Sequence, residues 1–311
     1  RFLLLLLGFR VMNTLPSKSF NLRSLGGSHA VFGKTRQLVD TAVALNVVVA
    51  ACFTAVGGFF ELAATGNLSL TALIVLFLTT WQIYIVDRLG KHPEDESSGS
   101  TNGSFSSDVT QNNQRFVLGL MVVALAIQTL CVIHQPQVVI GIGLGAMGGA
   151  GYVVKLPIIR CRLKQIPCAK TFYIPFVCIA MALGTTGEWL WAYEHWGITL
   201  GVWMLIFINA LVFDIKDAER DLENGACTFF NLFPYSSVLT AAVIASCALA
   251  VSMAVGPSLL HLCLFTGAIG TVLLLLPLYW LEEKLQVEPY LTLIIEWNIA
   301  LPFIALIYLS E

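Results

Sequence analysis

Long apolar stretches alternate with short polar breaks over most of the chain. Lipid offers no hydrogen-bond partners to an exposed backbone, so only helices and closed barrels span a bilayer, and a helix needs about 20 residues to do so. Apolar runs of this kind predict an all-α, multi-pass membrane protein with about nine transmembrane helices in a bundle. The runs are 39–63, 68–86, 116–133, 137–154, 172–183, 198–213, 238–255, 259–280 and 290–309.

The composition agrees with a membrane protein. Hydrophobic residues make up 57% of the sequence and charged residues 12%, whereas soluble domains carry roughly 25% charged residues. The mean hydropathy is +0.80 and the pI is about 6.2, which argues against a nucleic-acid partner. The eight cysteines are scattered and form no CxxC pair, so we expect small buried hydrophobes rather than disulfides or a metal site.

The positive charges predict an orientation in the membrane. All 17 Lys and Arg lie before the first run, at the ends of the even-numbered runs, or in the loops after those runs. Under the positive-inside rule, the amino terminus and these loops face the cytoplasm. Residues 1–37 are expected to be a poorly ordered leader, and residues 38–311 a transmembrane domain. Within it, residues 95–114 are rich in Ser, Gly, Asn and Thr and predict a flexible cytoplasmic loop.

Glycines recur at every fourth position of the fourth run, at Gly141, Gly145 and Gly149. Residues four apart share one face of a helix. Small residues in such a stripe let neighbouring membrane helices approach closely. The pattern therefore predicts a close helix contact along this face.

An acidic segment follows the sixth run directly. If the helix continues past Phe213, Asp214, Asp217 and Asp221 fall at i, i+3 and i+7, on one face and about 5–6 Å apart between neighbours. Like charges at this spacing repel one another and favour a bound cation, and Mg²⁺ prefers oxygen ligands that it shares with substrate phosphates. The alternative interpretation is a solvated acidic helix end, with basic neighbours as partners.

Two further polar groups lie on the same predicted side of the membrane. Asp87 and Arg88 follow the second run directly, and the planar guanidinium of Arg88 is suited to binding phosphate. The loop after the fourth run is basic; its polar and charged residues include Tyr152, Lys155, Arg162 and Lys164. Carboxylates, Mg²⁺ and basic side chains together can stabilise a diphosphate leaving group. For each group, a role in topology alone remains the alternative.

The acidic segment carries a family resemblance. The pattern Asp214-x-x-Asp217-x-x-x-Asp221-x-x-x-Gly225-x-x-Thr228 resembles the second aspartate-rich motif of the UbiA superfamily of intramembrane prenyltransferases. It is most similar to the form in the homogentisate, chlorophyll and menaquinone branches. The resemblance implies a helical bundle around a central cavity that opens to lipid.

The other polar groups resemble further family motifs. Asp87-Arg88 resembles the core of the first motif, and Tyr152 with Arg162 and Lys164 resembles the basic loop. The resemblance implies Mg²⁺-dependent transfer of a prenyl group from an isoprenoid diphosphate to a lipophilic, aromatic acceptor of quinone biosynthesis. The implied catalytic and metal-binding residues are Asp87, Asp214, Asp217 and Asp221. The implied diphosphate-binding residues are Arg88, Tyr152, Lys155, Arg162 and Lys164.

The first motif departs from the family pattern. Ile83, Tyr84 and Lys91 occupy the positions of the usual Asn-Asp pair and the later Asp, which leaves a two-metal site and the activity of this copy open. Two alternatives therefore stand beside the transferase: an intramembrane terpene cyclase, and a non-catalytic or transport bundle. A transporter would use Glu296 and Asn298 of the ninth run as an ion site, because polar groups at membrane depth are costly and commonly functional.

Overall fold

The computed structural model describes residues 46–89, 113–153, 163, 166–223, 228–281 and 290–310. They belong to one structural unit, Thr41–Glu311. The predicted leader, residues 1–37, lies outside the described residues. So does the predicted flexible loop, except for its last two positions.

Each apolar run overlaps one long helix of the described chain, and no strand occurs in the described ranges, which confirms the all-α prediction. The long helices are α1 Val47–Thr65, α2 Leu70–Leu89, α3 Gln114–His134, α4 Val138–Val153, α5 Ala169–Thr186, α7 Trp196–Glu223, α9 Tyr235–Ala254, α10 Leu259–Leu281 and α11 Tyr290–Ser310. Two short helices, α6 Trp189–Glu194 and α8 Phe229–Leu232, lie in the connections on either side of α7.

Within the described residues, seven helices are long and apolar enough to cross a membrane. The chain is therefore an integral, multi-pass membrane protein, and the full count of nine spans stays a prediction. Helix α3 lies at the outer surface of the bundle. Only 17% of its apolar segment is buried, and Val122 and Leu130 are 66% and 61% exposed. Apolar side chains in this position are suited to contact with lipid.

The helices pack in a closed order. Helix α1 packs against α2, α2 against α4, α4 against α5, α5 against α7, α7 against α10, and α10 against α11, which packs against α1 again. Helix α5 also contacts α1, and α7 also contacts α11. Buried side chains of these helices, among them Phe59, Phe60 and Leu205, form the main apolar core.

The predicted glycine stripe of α4 lies against neighbouring helices, which confirms the expected close contact. A Cβ added at Gly141 would overlap the side chain of Thr185, and one added at Gly148 would overlap Val177. Because the pairing runs backwards along α5, helices α4 and α5 are antiparallel. The carboxyl-terminal end of α4 therefore lies beside the amino-terminal end of α5.

The same stripe fixes the position of α2. Gly145 lies against Thr79, and Gly149 lies against Ile83. A step of four residues along α4 corresponds to a step of four residues in the same direction along α2, so the two helices run parallel. The last turns of α2 and α4 and the first turn of α5 therefore share one end of the bundle, which we call the acidic end because it carries Asp87 and Asp214.

A buried carboxylate joins helices at the end of the bundle opposite the acidic end. Glu61, in the last turn of α1, is 7% exposed. Its Oε2 accepts a 3.0 Å hydrogen bond from the backbone N–H of Ser69, directly before α2. The hydroxyl of Ser69 donates a 2.9 Å hydrogen bond to Oε1 of Gln135, in the turn between α3 and α4. This network joins the ends of four helices.

Candidate active site

Helix α7 carries the acidic segment as a continuous helix. It is 28 residues long and ends at Glu223, so it continues past Phe213 as the motif requires. Positions 214, 217 and 221 therefore fall within about 60° of one another around the helix axis. The side chains of Asp217 and Asp221 lie outside what the structure describes.

Asp214 is buried and held by two residues of α5. Its side chain is 1% exposed, and Oδ1 lies 3.0 Å from the ammonium nitrogen of Lys170. Oδ2 accepts a 2.8 Å hydrogen bond from the hydroxyl of Thr171. Oδ1 accepts no hydrogen bond of good geometry from the described part of the chain, so the Lys170 contact is an ion pair without a well-aligned hydrogen bond.

Burial explains why Asp214 needs both partners. A carboxylate removed from water must be paired and hydrogen-bonded to stay ionised. Removing one partner from a buried ion pair costs about 3–5 kcal/mol, because the other charge is left uncompensated. The pair also docks the first turn of α5 onto the polar part of α7.

Asp87 lies at the acidic end, near the end of α2. It is one turn beyond Ile83, which packs against Gly149 of α4. Its side chain is half-buried. Because α2 and α4 run parallel, Asp87 is level with the last residues of α4.

The end of α4 is in turn joined to α5. The hydroxyl of Tyr173 donates a 2.9 Å hydrogen bond to the backbone carbonyl of Gly148, and Tyr152 lies one turn further along α4. Lys170 precedes Tyr173 by three residues on α5 and contacts Asp214. The structure therefore brings Asp87, Tyr152 and Asp214 to one end of the bundle.

Several predicted site residues remain untested. The side chain of Arg88 and residues Lys155, Arg162 and Lys164 lie outside the described residues. Among the side chains that the structure describes, no three His, Cys, Asp or Glu form a group able to hold a metal ion. The predicted Mg²⁺ ligands Asp217 and Asp221 were not part of that set.

Sequence reasoning missed the role of the first turn of α5. Lys170 lies in the basic loop after the fourth run and Thr171 lies directly before the fifth run, and neither was predicted as a site residue. No pattern could have found them, because their partner Asp214 is more than 40 residues away along the chain. Only the antiparallel docking of α5 on α7 brings these side chains together.

Aromatic rings adjoin the ion pair. Phe172 follows Thr171 directly, and its ring centroid lies 4.9 Å from that of Phe207 and 6.0 Å from that of Phe229. Phe229 begins α8, immediately after Thr228, the last residue of the acidic motif, which is 2% exposed. Charged groups and an aromatic surface therefore meet at the acidic end.

The donor set determines how well Mg²⁺ fits here. Carboxylate oxygens are suitable ligands, and the helical positions of Asp217 and Asp221, with Asp87 at the same end, are compatible with such a site. Asp214 fits less well, because both of its oxygens already have partners and one partner is a cation.

Comparison with known proteins supports the fold. No protein-family model matches the chain, and no curated protein sequence matches it. Among solved structures, a UbiA homolog from Archaeoglobus fulgidus, bound to GPP and Mg2+, matches with a TM-score of 0.56 and 16% sequence identity. The match covers 86% of this chain and 99% of that protein. The chain therefore has the UbiA-type helical fold.

Proposed function

We propose that the protein transfers a prenyl group from an isoprenoid diphosphate to a lipophilic, aromatic acceptor of quinone-type biosynthesis, in a reaction that requires Mg²⁺. The observation that carries the proposal is the placement of Asp87 and the acidic segment of α7 at one end of the bundle. The related fold of a protein that binds GPP and Mg2+ supports it.

The acidic and the basic residues of this end would have different roles. Asp87, Asp217 and Asp221 would hold Mg²⁺, and Asp214 belongs to the same sequence motif as Asp217 and Asp221. Bound there, the ion would neutralise charge that develops on the diphosphate oxygens.

The basic groups would bind the diphosphate itself. Hydrogen bonds from ionised donors to phosphate oxygens are short and strong. The residues proposed for this role are Arg88, Tyr152, Lys155, Arg162 and Lys164. Together they would stabilise the departing pyrophosphate, which takes the electron pair of the broken C–O bond.

The apolar interior would then determine the fate of the prenyl cation. Exclusion of water protects a reactive cation from hydrolysis, and aromatic faces stabilise cations by about 0.5–2 kcal/mol. A ring carbon of the acceptor donates an electron pair to C1 of the prenyl group and afterwards loses its proton. The products are the prenylated acceptor, pyrophosphate and a proton.

The proposal includes an orientation. The excess of Lys and Arg in the leader and in the even-numbered loops supports a cytoplasmic amino terminus and a cytoplasmic acidic end. The diphosphate would then enter from the cytoplasm, and the acceptor from the lipid phase.

The test is Mg²⁺-dependent release of pyrophosphate by the purified protein with a prenyl diphosphate and a hydroxylated aromatic acceptor. Asp217→Ala is expected to abolish release while the protein stays folded, because it removes a metal-binding carboxylate. The control is Glu194→Gln, an exposed acid in α6 at the opposite end, which is expected to leave release unchanged.

Two results would contradict the proposal. Undiminished release by Asp217→Ala would exclude the acidic segment as the metal site. A cyclic hydrocarbon formed from the diphosphate alone would favour an intramembrane terpene cyclase instead.

A further inference from the structure

Two asparagine side chains are buried in the apolar interior, on helices that pack against each other. Asn209 of α7 is 2% exposed and Asn298 of α11 is 6% exposed, and the two helices are in contact. Oδ1 of Asn209 and Nδ2 of Asn298 are buried, and neither atom has a hydrogen-bond partner among the described residues. A buried acceptor and a buried donor are therefore left unsatisfied, which native structures rarely tolerate without a reason.

Contacts with α10 relate the positions of the two amides. A Cβ added at Gly267 of α10 would overlap both Leu205 of α7 and Pro302 of α11, so the three helices meet at this point. Asn209 follows Leu205 by four residues, and Asn298 precedes Pro302 by four residues. Each amide therefore lies about 6 Å, or one helical turn, along the helix axis from the triple contact.

The directions of the helices put both amides on the same side of that contact. A Cβ added at Gly270 would overlap the side chain of Asn298, so a forward step along α10 is a backward step along α11. Gly201 of α7 lies against Leu264, which precedes Gly267 by three residues, so α7 and α10 run parallel. Both amides therefore lie at one level, on the side of the triple contact that faces the acidic end.

This level is inside the bundle and below the acidic end. Asn209 shares a face of α7 with Leu205 and Ile206, because residues three and four apart are neighbours on a helix, and both of these side chains belong to the main apolar core. Asn209 precedes Asp214 by five residues, which is about 7.5 Å along the helix axis. The amides therefore lie apart from the carboxylates proposed to hold the metal ion.

The two unpartnered atoms indicate which chemical group would satisfy them. Oδ1 accepts a hydrogen bond and Nδ2 donates one, and a hydroxyl group can do the opposite of each at the same time. The hydrocarbon tail of a prenyl donor can do neither, and a monatomic cation would leave the amide nitrogen without an acceptor. The hydroxyl group of an aromatic ring fits both atoms, and its ring fits the apolar surroundings.

We propose that Asn209 and Asn298 bind a hydroxyl group of the aromatic acceptor and make the site selective for hydroxylated rings. This inference rests on the proposed function, because it presumes an aromatic acceptor inside the bundle. It adds two specificity-determining residues from α7 and α11 that lie outside the acidic motif. It also explains why two unsatisfied amides are kept in an apolar core.

The first experiment measures the protein without ligand. Asn209→Leu and Asn298→Leu keep a branched side chain of similar size and remove its polar atoms. The Tm of each variant in detergent is expected to equal or exceed that of the unmodified protein, because a buried polar group without a partner is removed. Amides that served only to join the helices would instead lower the Tm when replaced.

The second experiment compares two acceptors, hydroquinone and its dimethyl ether, by Mg²⁺-dependent release of pyrophosphate. The ether keeps an electron-rich ring but cannot donate a hydrogen bond. For the unmodified protein, the Michaelis constant is expected to be lower for hydroquinone by about tenfold or more. In Asn209→Leu and Asn298→Leu this preference should fall to about threefold or less, with the Michaelis constant for the prenyl diphosphate unchanged within about twofold.

The matched control removes a buried polar group elsewhere. Ser246 of α9 is 0% exposed, and its hydroxyl donates a 2.7 Å hydrogen bond to the backbone carbonyl of Ala242. Ser246→Ala is expected to retain the full preference for hydroquinone. A loss of preference in this control equal to that in the Leu variants would show that the preference does not depend on the two amides, and would overturn the inference.

The remaining results separate this inference from the proposed function. Equal Michaelis constants for the two acceptors in the unmodified protein, a comparison that needs no variant, would overturn the inference and leave prenyl transfer standing. A lower Tm of both Leu variants with an unchanged preference would make the amides a structural pair and would also overturn it alone. If the unmodified protein releases no pyrophosphate with any prenyl diphosphate and acceptor, the proposed function fails and this inference fails with it.

Discussion

The hydroxyl of Thr171 donates a 2.8 Å hydrogen bond to Oδ2 of Asp214, across a sequence separation of 43 residues. Both residues are 1% exposed. The bond joins the first turn of α5 to the point where α7 changes from apolar to charged. It therefore contributes both to the packing of the two helices and to the geometry of the acidic end.

Replacing Thr171 with Val keeps the shape of the side chain and removes the donor. A buried carboxylate oxygen then loses its hydrogen bond, and we expect the free energy of unfolding to fall by about 1–3 kcal/mol. Thr171→Ser retains the hydroxyl and is the matched control, with a smaller loss. Unfolding of the detergent-solubilised protein measures the difference, and equal stability of the Val and Ser variants would show that the bond contributes nothing.

The glycine stripe of α4 allows a second comparison within one helix. Gly141→Ala places a methyl group where the Thr185 side chain and backbone lie, whereas a Cβ at Gly143 meets nothing within 4 Å. Overpacking costs about 1–3 kcal/mol, while Ala in place of an exposed helical Gly gains about 0.5–1 kcal/mol. Melting temperatures should therefore fall for Gly141→Ala and rise slightly for Gly143→Ala; a rise for both would mean that the contact with α5 is loose.

The carboxylate at the opposite end is expected to be structural. Glu61→Leu leaves the backbone N–H of Ser69 without the 3.0 Å bond that it donates to Oε2. The bond is part-buried, and losing such a hydrogen bond costs about 0.5–1.5 kcal/mol, so thermal unfolding should begin at a lower temperature. Glu61→Gln keeps a carbonyl acceptor and should stay close to the original stability. A loss of prenyl transfer in Glu61→Gln at unchanged stability would instead place this residue in the reaction.

Removal of Mg²⁺ tests the proposed function through stability. A prenyl diphosphate at 100 times its dissociation constant stabilises the folded state by about 2.7 kcal/mol. We expect its effect on Tm only with Mg²⁺ present, because repulsion from the carboxylates opposes binding of the bare diphosphate. The matching prenyl alcohol should give no Mg²⁺-dependent shift. An equal rise in Tm with EDTA would contradict a metal-bridged diphosphate.

The helices could be predicted because their cause is local. A long apolar run, such as 116–133, makes a helix the favoured state in lipid, whatever its neighbours are. The glycine spacing at Gly141, Gly145 and Gly149 likewise predicted a close contact, since one face of a helix repeats every three to four residues. It did not say that Thr185 and Met181 of α5 would fill that face.

For the acidic segment, sequence spacing determined that Asp214, Asp217 and Asp221 share one face of a helix, because that property depends on backbone geometry alone. The spacing gave no reason to assign the three carboxylates different roles. Tertiary structure supplied the partners of Asp214 by docking Lys170 and Thr171 against it. The partner of a buried charge is chosen by helix packing between segments distant in sequence, and no local pattern records that choice.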